Sequence, residues 1–330
     1  MRRRQLLAAL AGATTFRAIR ADAAERVYRL AFVSPSLPTT AMTETGYLQS
    51  FFKELRKLGY IEGQNLVISR FSAGGDAGRY DSVINQAINA NPDVVVAANN
   101  PLILRFKALM KSTPIVALMG DPVAWGIVPS LAHPGGNITG ISSDAGEEIW
   151  GKRLSILLDT FPKAKRIGFL TTEPFWQSPQ GAMVRAAAQK SAVNLIAPLL
   201  AGVYDEREYR RVFAELQRQN AEVLLVSDAS ENFAHIGLTA ELVEQARLPT
   251  LHAYREFVIK GGLMAYAFDV QDMFVRGARY ADAILKGAKP ADMPIYQADK
   301  FTLVINLKTA KTLGVTIPPA LLGSADEVIE

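Results

Sequence analysis

The sequence contains no cysteine, which excludes disulfide bonds, thiolate metal sites, a cysteine nucleophile and a lipid-anchored N-terminal cysteine. It contains only three histidines, His133, His235 and His252, and they are scattered along the 330 residues. A lone histidine without neighbouring ligands or acids is more often structural than catalytic. No stretch of about 18 uninterrupted apolar residues occurs after the N-terminal region, so no membrane-spanning helix is predicted.

Catalytic signatures are missing as well. There is no G-x-S-x-G elbow, no Walker loop and no H-E-x-x-H helix, and Gly74-Gly75 lacks the G-x-G-x-x-G spacing of a dinucleotide site. An α/β enzyme that used Asp121, Asp228 and Arg255 would need a nucleophile or base with an orienting partner, and no spacing supplies one. The sequence therefore predicts a protein that is not an enzyme and that uses no cofactor or metal.

The first residues have the pattern of an export signal. Arg2–Arg4 is a basic start, Leu6–Ala13 is a short apolar stretch, and Ala21–Ala23 fits an A-x-A cleavage site. The adjacent arginines resemble a twin-arginine signal. The alternative is a disordered basic tail. We expect a signal peptide at residues 1–23, cleavage near Ala23 and a periplasmic protein.

The formal net charge of +4 comes from this N-terminal segment. Residues 1–23 carry five arginines and one aspartate, so the rest of the chain is formally neutral. Binding to a nucleic-acid backbone depends on basic side chains that neutralise phosphates. We therefore expect no nucleic-acid partner.

Strand patterns alternate with helix patterns along the rest of the chain. The apolar run Ile115–Leu118 indicates a strand buried on both faces, and it ends on the turn Gly120–Pro122. Repetition of this order predicts parallel βαβ units, and the length suits two lobes of about 150 residues. We predict an α/β fold of two lobes with parallel sheets, first linked at Ile141–Ser142. The late elements are too few for a third domain, so the chain should return to the first lobe and then to the second.

Small polar residues follow strand after strand. Ligands bind at the carboxyl edge of open α/β sheets, so two facing lobes would line a cleft with hydrogen-bonding groups. The alternative is that α/β loops are polar in any case. Aromatic residues near the same edges would stack on a flat ligand or pack in the core. The predicted ligand-binding residues are Ser34, Ser36, Asn99, Asn100, Asp121, Thr172, Phe175, Trp176, Ser227, Asp228, Tyr254 and Arg255.

Several segments closely resemble a known family: LGYIEGQNL, GDPVAWGIVPSLAHPGGNITG, LPTLHAYREFVIKGGLMAYAFD, ILKGAKPADMPIYQADKF and LVINLKTAKTLGVTIPPALL. They are similar to the substrate-binding proteins of the tryptophan/tyrosine-type ABC transporter family, over essentially the whole chain after the signal. The resemblance implies the type I periplasmic binding protein fold, with two Rossmann-like lobes joined by a three-segment hinge. By analogy with sugar-binding members of that fold, lobe 1 is expected at residues 24–141 and 268–297, and lobe 2 at residues 142–267 and 298–330.

The resemblance also implies a function. We expect the solute-binding component of an ABC importer, which captures a small molecule, an aromatic amino acid or aromatic acid, and delivers it to an ABC permease in the membrane. The alternative is a ligand-sensing protein of the same fold that acts with a membrane receptor. A transcriptional regulator of this fold would need a DNA-binding helix-turn-helix before the first lobe, where this chain has an export signal. The protein is expected to act as a monomer.

The charged residues of the cleft have expected roles under this resemblance. A buried carboxylate needs a charged partner or several hydrogen bonds. Arg255 is therefore predicted to bind the ligand's carboxylate, and the alternative is a surface pair with Glu256. Asp121 or Asp228 would hold an ammonium group.

The aromatic residues and one turn bear on the ligand's identity. Phe175 and Trp176 are predicted to cover the ring of the ligand. Many members of the family have a Gly-Thr-Pro-Ala-like turn where this chain has Asn99–Leu102, so the ligand need not be tryptophan. The sequence leaves open whether Phe268 and Asp269 reach the ligand.

Overall fold

A computed structural model of the chain describes residues 26–44, 46–144 and 146–330. The predicted export signal lies outside these residues. Among the helices of the described part, none is long and apolar enough to cross a membrane.

The described residues alternate between strands and helices along most of their length. The strands are β1 (Tyr28–Ser34), β2 (Leu66–Ser72), β3 (Val94–Ala98), β4 (Ile115–Met119), β5 (Ile138–Ser142), β6 (Arg166–Leu170), β7 (Asn194–Ile196), β8 (Val223–Val226), β9 (Thr250–His252), β10 (Met264–Phe268), β11 (Tyr296–Gln297), β12 (Phe301–Asn306) and β13 (Glu327–Ile329). The α-helices are α1 (Gly46–Lys57), α2 (Tyr80–Asn89), α3 (Asn100–Leu109), α4 (Glu147–Thr160), α5 (Glu173–Gln177), α6 (Pro179–Lys190), α7 (Glu206–Arg218), α8 (Ser230–Ala234), α9 (Ile236–Ala246), α10 (Arg255–Ile259), α11 (Val270–Leu285), α12 (Leu307–Leu313) and α13 (Pro319–Gly323). Short 3₁₀ helices lie at Thr39–Thr43, Ala77–Arg79 and Pro290–Asp292.

The first sheet consists of six parallel strands in the order β11-β5-β4-β3-β1-β2. Side chains alternate between its two faces, as strand geometry requires. Leu30 and Phe32 pack with residues of α1 and α11, while Ala31 and Val33 pack with residues of α2 and α3. Because helices cover both faces, a central strand such as β4 is apolar and buried along its whole length.

The second sheet has seven strands in the order β13-β12-β10-β9-β8-β6-β7. Residues of α4 and α6 pack on one face, and residues of α7 and α9 pack on the other. One pair departs from the predicted parallel pattern, because β12 runs antiparallel to β10. The register pairs Phe268, where the chain leaves this sheet, with Phe301, where it returns. A strand that leaves an edge and a strand that enters at the same edge must run in opposite directions.

The chain passes between the two sheets three times, after Ser142, after Phe268 and after Gln297. The crossing segments are bonded to each other: the Ala298 amide donates to the Ser142 carbonyl, and the Gln297 side chain donates to the Asp144 carbonyl, each at 2.8 Å. We define the first lobe as the first sheet with α1–α3 and α11, and the second lobe as the second sheet with the other helices. Lobes joined only by such segments can rotate without repacking their cores.

Candidate ligand-binding site

A cavity of about 150 Å³ lies between the two lobes, at the carboxyl ends of both sheets. Its walls come from residues that follow β1, β3 and β4 in the first lobe and β6, β8 and β9 in the second. The parallel strands of each lobe end at one edge, and the two edges face each other. Eight of the predicted residues therefore meet here: Ser34, Ser36, Asn99, Asn100, Thr172, Phe175, Asp228 and Tyr254.

Arg255 does not line the cavity, contrary to its predicted role. Its guanidinium makes two bonds of 2.6 Å to Glu327, and its side chain is 46% exposed. Tyr254, just before it, has extended backbone and lines the cavity. Arg255 is the first residue of α10, and its side chain points away from the cavity towards Glu327. Its partner is Glu327 on β13 rather than Glu256.

Three more predicted residues stand beside the cavity without lining it. The Asp121 carboxylate accepts two backbone amide bonds of 3.0 Å in the turn after β4. The ring of Trp176 packs in the second lobe, with the guanidinium of Arg185 4.7 Å from its centre. Ser227 is fully buried, and its hydroxyl accepts a bond of 3.0 Å from Asn232. Asp121 and Ser227 follow strand ends as predicted, whereas Trp176 lies within α5 rather than at the end of β6. In all three the side chain is used for local structure.

Aromatic rings from both lobes form one wall of the cavity. The Tyr47 ring lies 4.7 Å from Phe274 in its own lobe and 4.9 Å from Phe233 in the other, measured between ring centres. Phe233 lies 4.5 Å from Tyr254, which lies 5.4 Å from Phe268. All five line the cavity. Rings at these spacings present flat faces and edges on which an aromatic ligand can pack.

Two acids also line the cavity, Asp228 and Glu231. The Asp228 carboxylate lies 3.6 Å from the guanidinium of Arg153, and these side chains are 6% and 0% exposed. Glu231 accepts hydrogen bonds from Asn99 at 2.9 Å and from Ser230 at 3.3 Å. Burial raises the pKa of both carboxyl groups above the ordinary range, and the nearby guanidinium opposes this shift at Asp228.

Sequence reasoning missed Glu231 and three of the rings, Tyr47, Phe233 and Phe274, because they lie on helices rather than at strand ends. A helix that follows a parallel strand starts near the edge where that strand ends, so its first turns face the cleft. These four residues all lie in the first two turns of α1, α8 or α11. That position is the signal that could have found them. Phe268 lines the cavity, whereas the Asp269 carboxylate accepts a bond from the Asp272 amide and caps α11.

Asn99 joins the two lobes across the cavity. Its side-chain nitrogen donates to the Ser230 hydroxyl and to the Glu231 carboxylate, both at 2.9 Å. Its side-chain oxygen accepts from the Leu102 amide at 3.2 Å and caps α3. Its φ is +83°, a region that residues other than glycine rarely adopt. Such a backbone persists where several surrounding bonds hold it, as they do here.

Further bonds close the lobes around the cavity. The Trp125 indole of the first lobe donates to the Gln180 side chain of the second at 2.8 Å. Gln180 also donates to the carboxylate of Asp144 in the first crossing segment. Burial and the charge of Asp228 raise the pKa of Asp144 to about 6. The described chain is therefore in a closed arrangement.

Two α/β lobes, three crossing segments and a cavity between the facing sheet edges define a two-lobed binding protein of the type I periplasmic fold. The model of one family, ABC transporter substrate-binding proteins, matches residues 40–329, and the chain belongs to this family. The predicted family and fold are thus confirmed.

Individual relatives are distant in sequence but similar in structure. The chain is 24% identical over 267 residues to the tyrosine-binding protein of Clostridioides difficile (strain R20291), which covers 80% of this chain and 75% of that protein. It is similar to a conserved domain protein from Vibrio cholerae, with a TM-score of 0.80, 24% identity and coverage of 92% and 100%. It is also similar to an ABC domain from Streptococcus pneumoniae in complex with L-Trp, with a TM-score of 0.77, 22% identity and coverage of 92% and 100%.

Proposed function

We propose that this protein is the extracytoplasmic solute-binding component of an ABC importer, and that it holds an aromatic amino acid between its lobes. The observation that carries the proposal is the cavity wall, where rings from both lobes stand beside two buried acids. Rings pack on the ring of the ligand, and a buried ammonium group requires an acid. The tyrosine-binding relative and the L-Trp complex support the same class of ligand.

The closed arrangement supports capture by lobe closure. A ligand that contacts both lobes binds the closed state more tightly than the open state. The difference between these two binding free energies sets how far the ligand shifts the equilibrium towards the closed state. Membership of the family supports an ABC permease as the partner that receives the ligand. We further propose that the protein acts as a monomer, and that it acts in the periplasm, a location that the export signal predicted at residues 1–23 supports.

A ligand screen tests this function. We expect the purified protein to show its largest rise in melting temperature with L-tyrosine, L-tryptophan or L-phenylalanine, because a ligand that binds the folded state stabilises it. The screen should contain all amino acids, common sugars and nucleosides, and calorimetry should follow each hit. A sugar or nucleoside that stabilises the protein, with no response to any aromatic amino acid, would contradict the proposal.

The affinity for an aromatic amino acid is expected to fall as the pH is lowered from neutral to mildly acidic. The ligand's ammonium group pairs only with an ionised acid. Because burial raises the pKa of Asp228 and of Glu231, both groups take up protons at a higher pH than exposed acids do. Calorimetry across this range measures the effect, with circular dichroism as a check that the protein stays folded. An affinity that is constant or that rises towards acidic pH would argue against an ammonium–acid contact.

A further inference from the structure

The cavity has an unbalanced charge. Among the described residues, the charged side chains on its wall are Asp228 and Glu231, and no lysine, arginine or histidine lines it. A ligand carboxylate would therefore find only neutral donors, such as the hydroxyls of Ser34, Ser36 and Thr172. A buried carboxylate without a cation is costly, and a nearby acid increases the cost.

Asp228 already has a cation behind the wall. The guanidinium of Arg153 lies 3.6 Å from it, an ion-pair distance longer than a hydrogen bond, and lies 4.6 Å from the centre of the Trp150 ring. The fully buried His252 adds no charge, because burial lowers its pKa to about 3. Asp144 in the first crossing segment adds a further acid. Arg153 therefore cancels one negative charge at most.

Glu231 has no cation among the described residues. Its two side-chain partners, Asn99 and Ser230, are neutral donors. The titratable groups that interact with it are the hydroxyls of Tyr80, Tyr204, Tyr209 and Tyr254, and burial raises the pKa of all four, so they stay neutral near pH 7. Glu231 thus brings to the cavity an acid that has no cation partner, on the side where Asn99 joins the lobes. Burial raises its pKa, and an ammonium group placed beside it would favour its ionised form.

We propose that Glu231 binds the ammonium group of the ligand, and that the site accepts aromatic monoamines, the decarboxylated counterparts of aromatic amino acids, at least as well as the amino acids themselves. This inference rests on the proposed function, namely that the cavity takes an aromatic ligand. A monoamine cation forms an ion pair with the Glu231 carboxylate and brings no other charge with it. A zwitterionic amino acid forms the same ion pair but also buries a carboxylate on a wall that has no cation for it. An aromatic acid without an ammonium group adds a negative charge to a negative site.

Calorimetry near neutral pH with three matched ligands tests this inference: L-tyrosine, tyramine and hydroxyphenylpropionate. We expect tyramine to bind at least as tightly as L-tyrosine, and hydroxyphenylpropionate to bind at least about a hundredfold more weakly than either, because it lacks the charge-assisted bond and opposes the charge of the site. The series L-tryptophan, tryptamine and indolepropionate should repeat this order.

Two variants locate the contact. In Glu231→Gln, which keeps the acceptor for Asn99 but removes the charge, affinity for tyramine should fall about tenfold to a hundredfold. Arg255→Ala is the matched control, because the Arg255 guanidinium lies outside the cavity. The affinities of this variant for tyramine and L-tyrosine should equal those of the parent protein. Thermal unfolding of both variants checks that they are folded.

The possible failures are distinguishable. If L-tyrosine or L-tryptophan binds but the matching amine binds more than about tenfold more weakly, the inference is wrong and the proposed function stands. An unchanged amine affinity in folded Glu231→Gln also overturns the inference. If no member of either series binds, both the inference and the proposed function are wrong.

Discussion

Replacing Asn99 by glycine is expected to weaken ligand binding by about tenfold to a hundredfold while the protein stays folded. The side chain of Asn99 makes two hydrogen bonds of 2.9 Å to the opposite lobe, one of them to the Glu231 carboxylate. Without them the closed state is less populated, and the apparent affinity falls with that population. Glycine adopts the φ of +83° without strain, and its replacement of an N-cap asparagine costs only a few tenths of a kcal/mol.

Asn99→Ala separates the two roles of this residue. Alanine removes the same bonds, so its affinity should match that of Asn99→Gly. It must also adopt the strained backbone and lacks the cap, so its free energy of unfolding should be lower by about 1–3 kcal/mol. Calorimetry measures the affinity, and denaturant unfolding measures the free energy of unfolding. Small-angle scattering with ligand measures how far the lobes close. Parent-like affinity in Asn99→Gly, or equal stability of the two variants, would show that Asn99 does not act in this way.

Replacing Gly140 by alanine is expected to prevent folding or to lower the free energy of unfolding by more than about 3 kcal/mol. Gly140 ends the NITG part of the segment that resembles the transporter family, and it lies in β5 opposite Ala117 of β4. A Cβ here would lie 2.6 Å from the Ala117 nitrogen and closer still to its carbonyl oxygen. Both obstacles are backbone atoms of a central strand, which cannot move aside. The φ of +146° adds strain for any residue with a side chain.

Gly151→Ala is the matched control for this prediction. Gly151 lies within α4, no atom stands within 4 Å of the position that its Cβ would take, and its φ is not positive. Alanine has a higher helix propensity than glycine, so this variant should gain about 0.5–1 kcal/mol of stability. Denaturant unfolding should show a lower free energy of unfolding for Gly140→Ala and a higher one for Gly151→Ala, each relative to the parent protein. Similar changes in the two would mean that the close approach of β4 and β5 is not what requires Gly140.

The polar residues at strand ends could be predicted because they depend on local pattern. An apolar run that stops on small polar residues indicates a buried strand and its carboxyl end, and parallel strands bring such ends to one edge. Ser34, Asn99, Thr172 and Asp228 reach the cavity for this reason. The same pattern could not separate Tyr254 from Arg255, because the two are adjacent and only the course of the backbone between β9 and α10 decides which one faces the cavity.

The sequence by itself determined the alternation of strands and helices, the two-lobed α/β fold and the edge at which the cavity lies, since these depend on periodicity and on short polar turns. Only the tertiary structure decided the chemistry of the cavity. Asn99 and Glu231 are 132 positions apart and meet only when the lobes close. Arg153 lies on α4 and reaches Asp228 after β8 only through the packing of that helix on the second sheet. The spacing of residues along the sequence does not predict contacts of this kind, because they depend on how whole helices and lobes pack against one another.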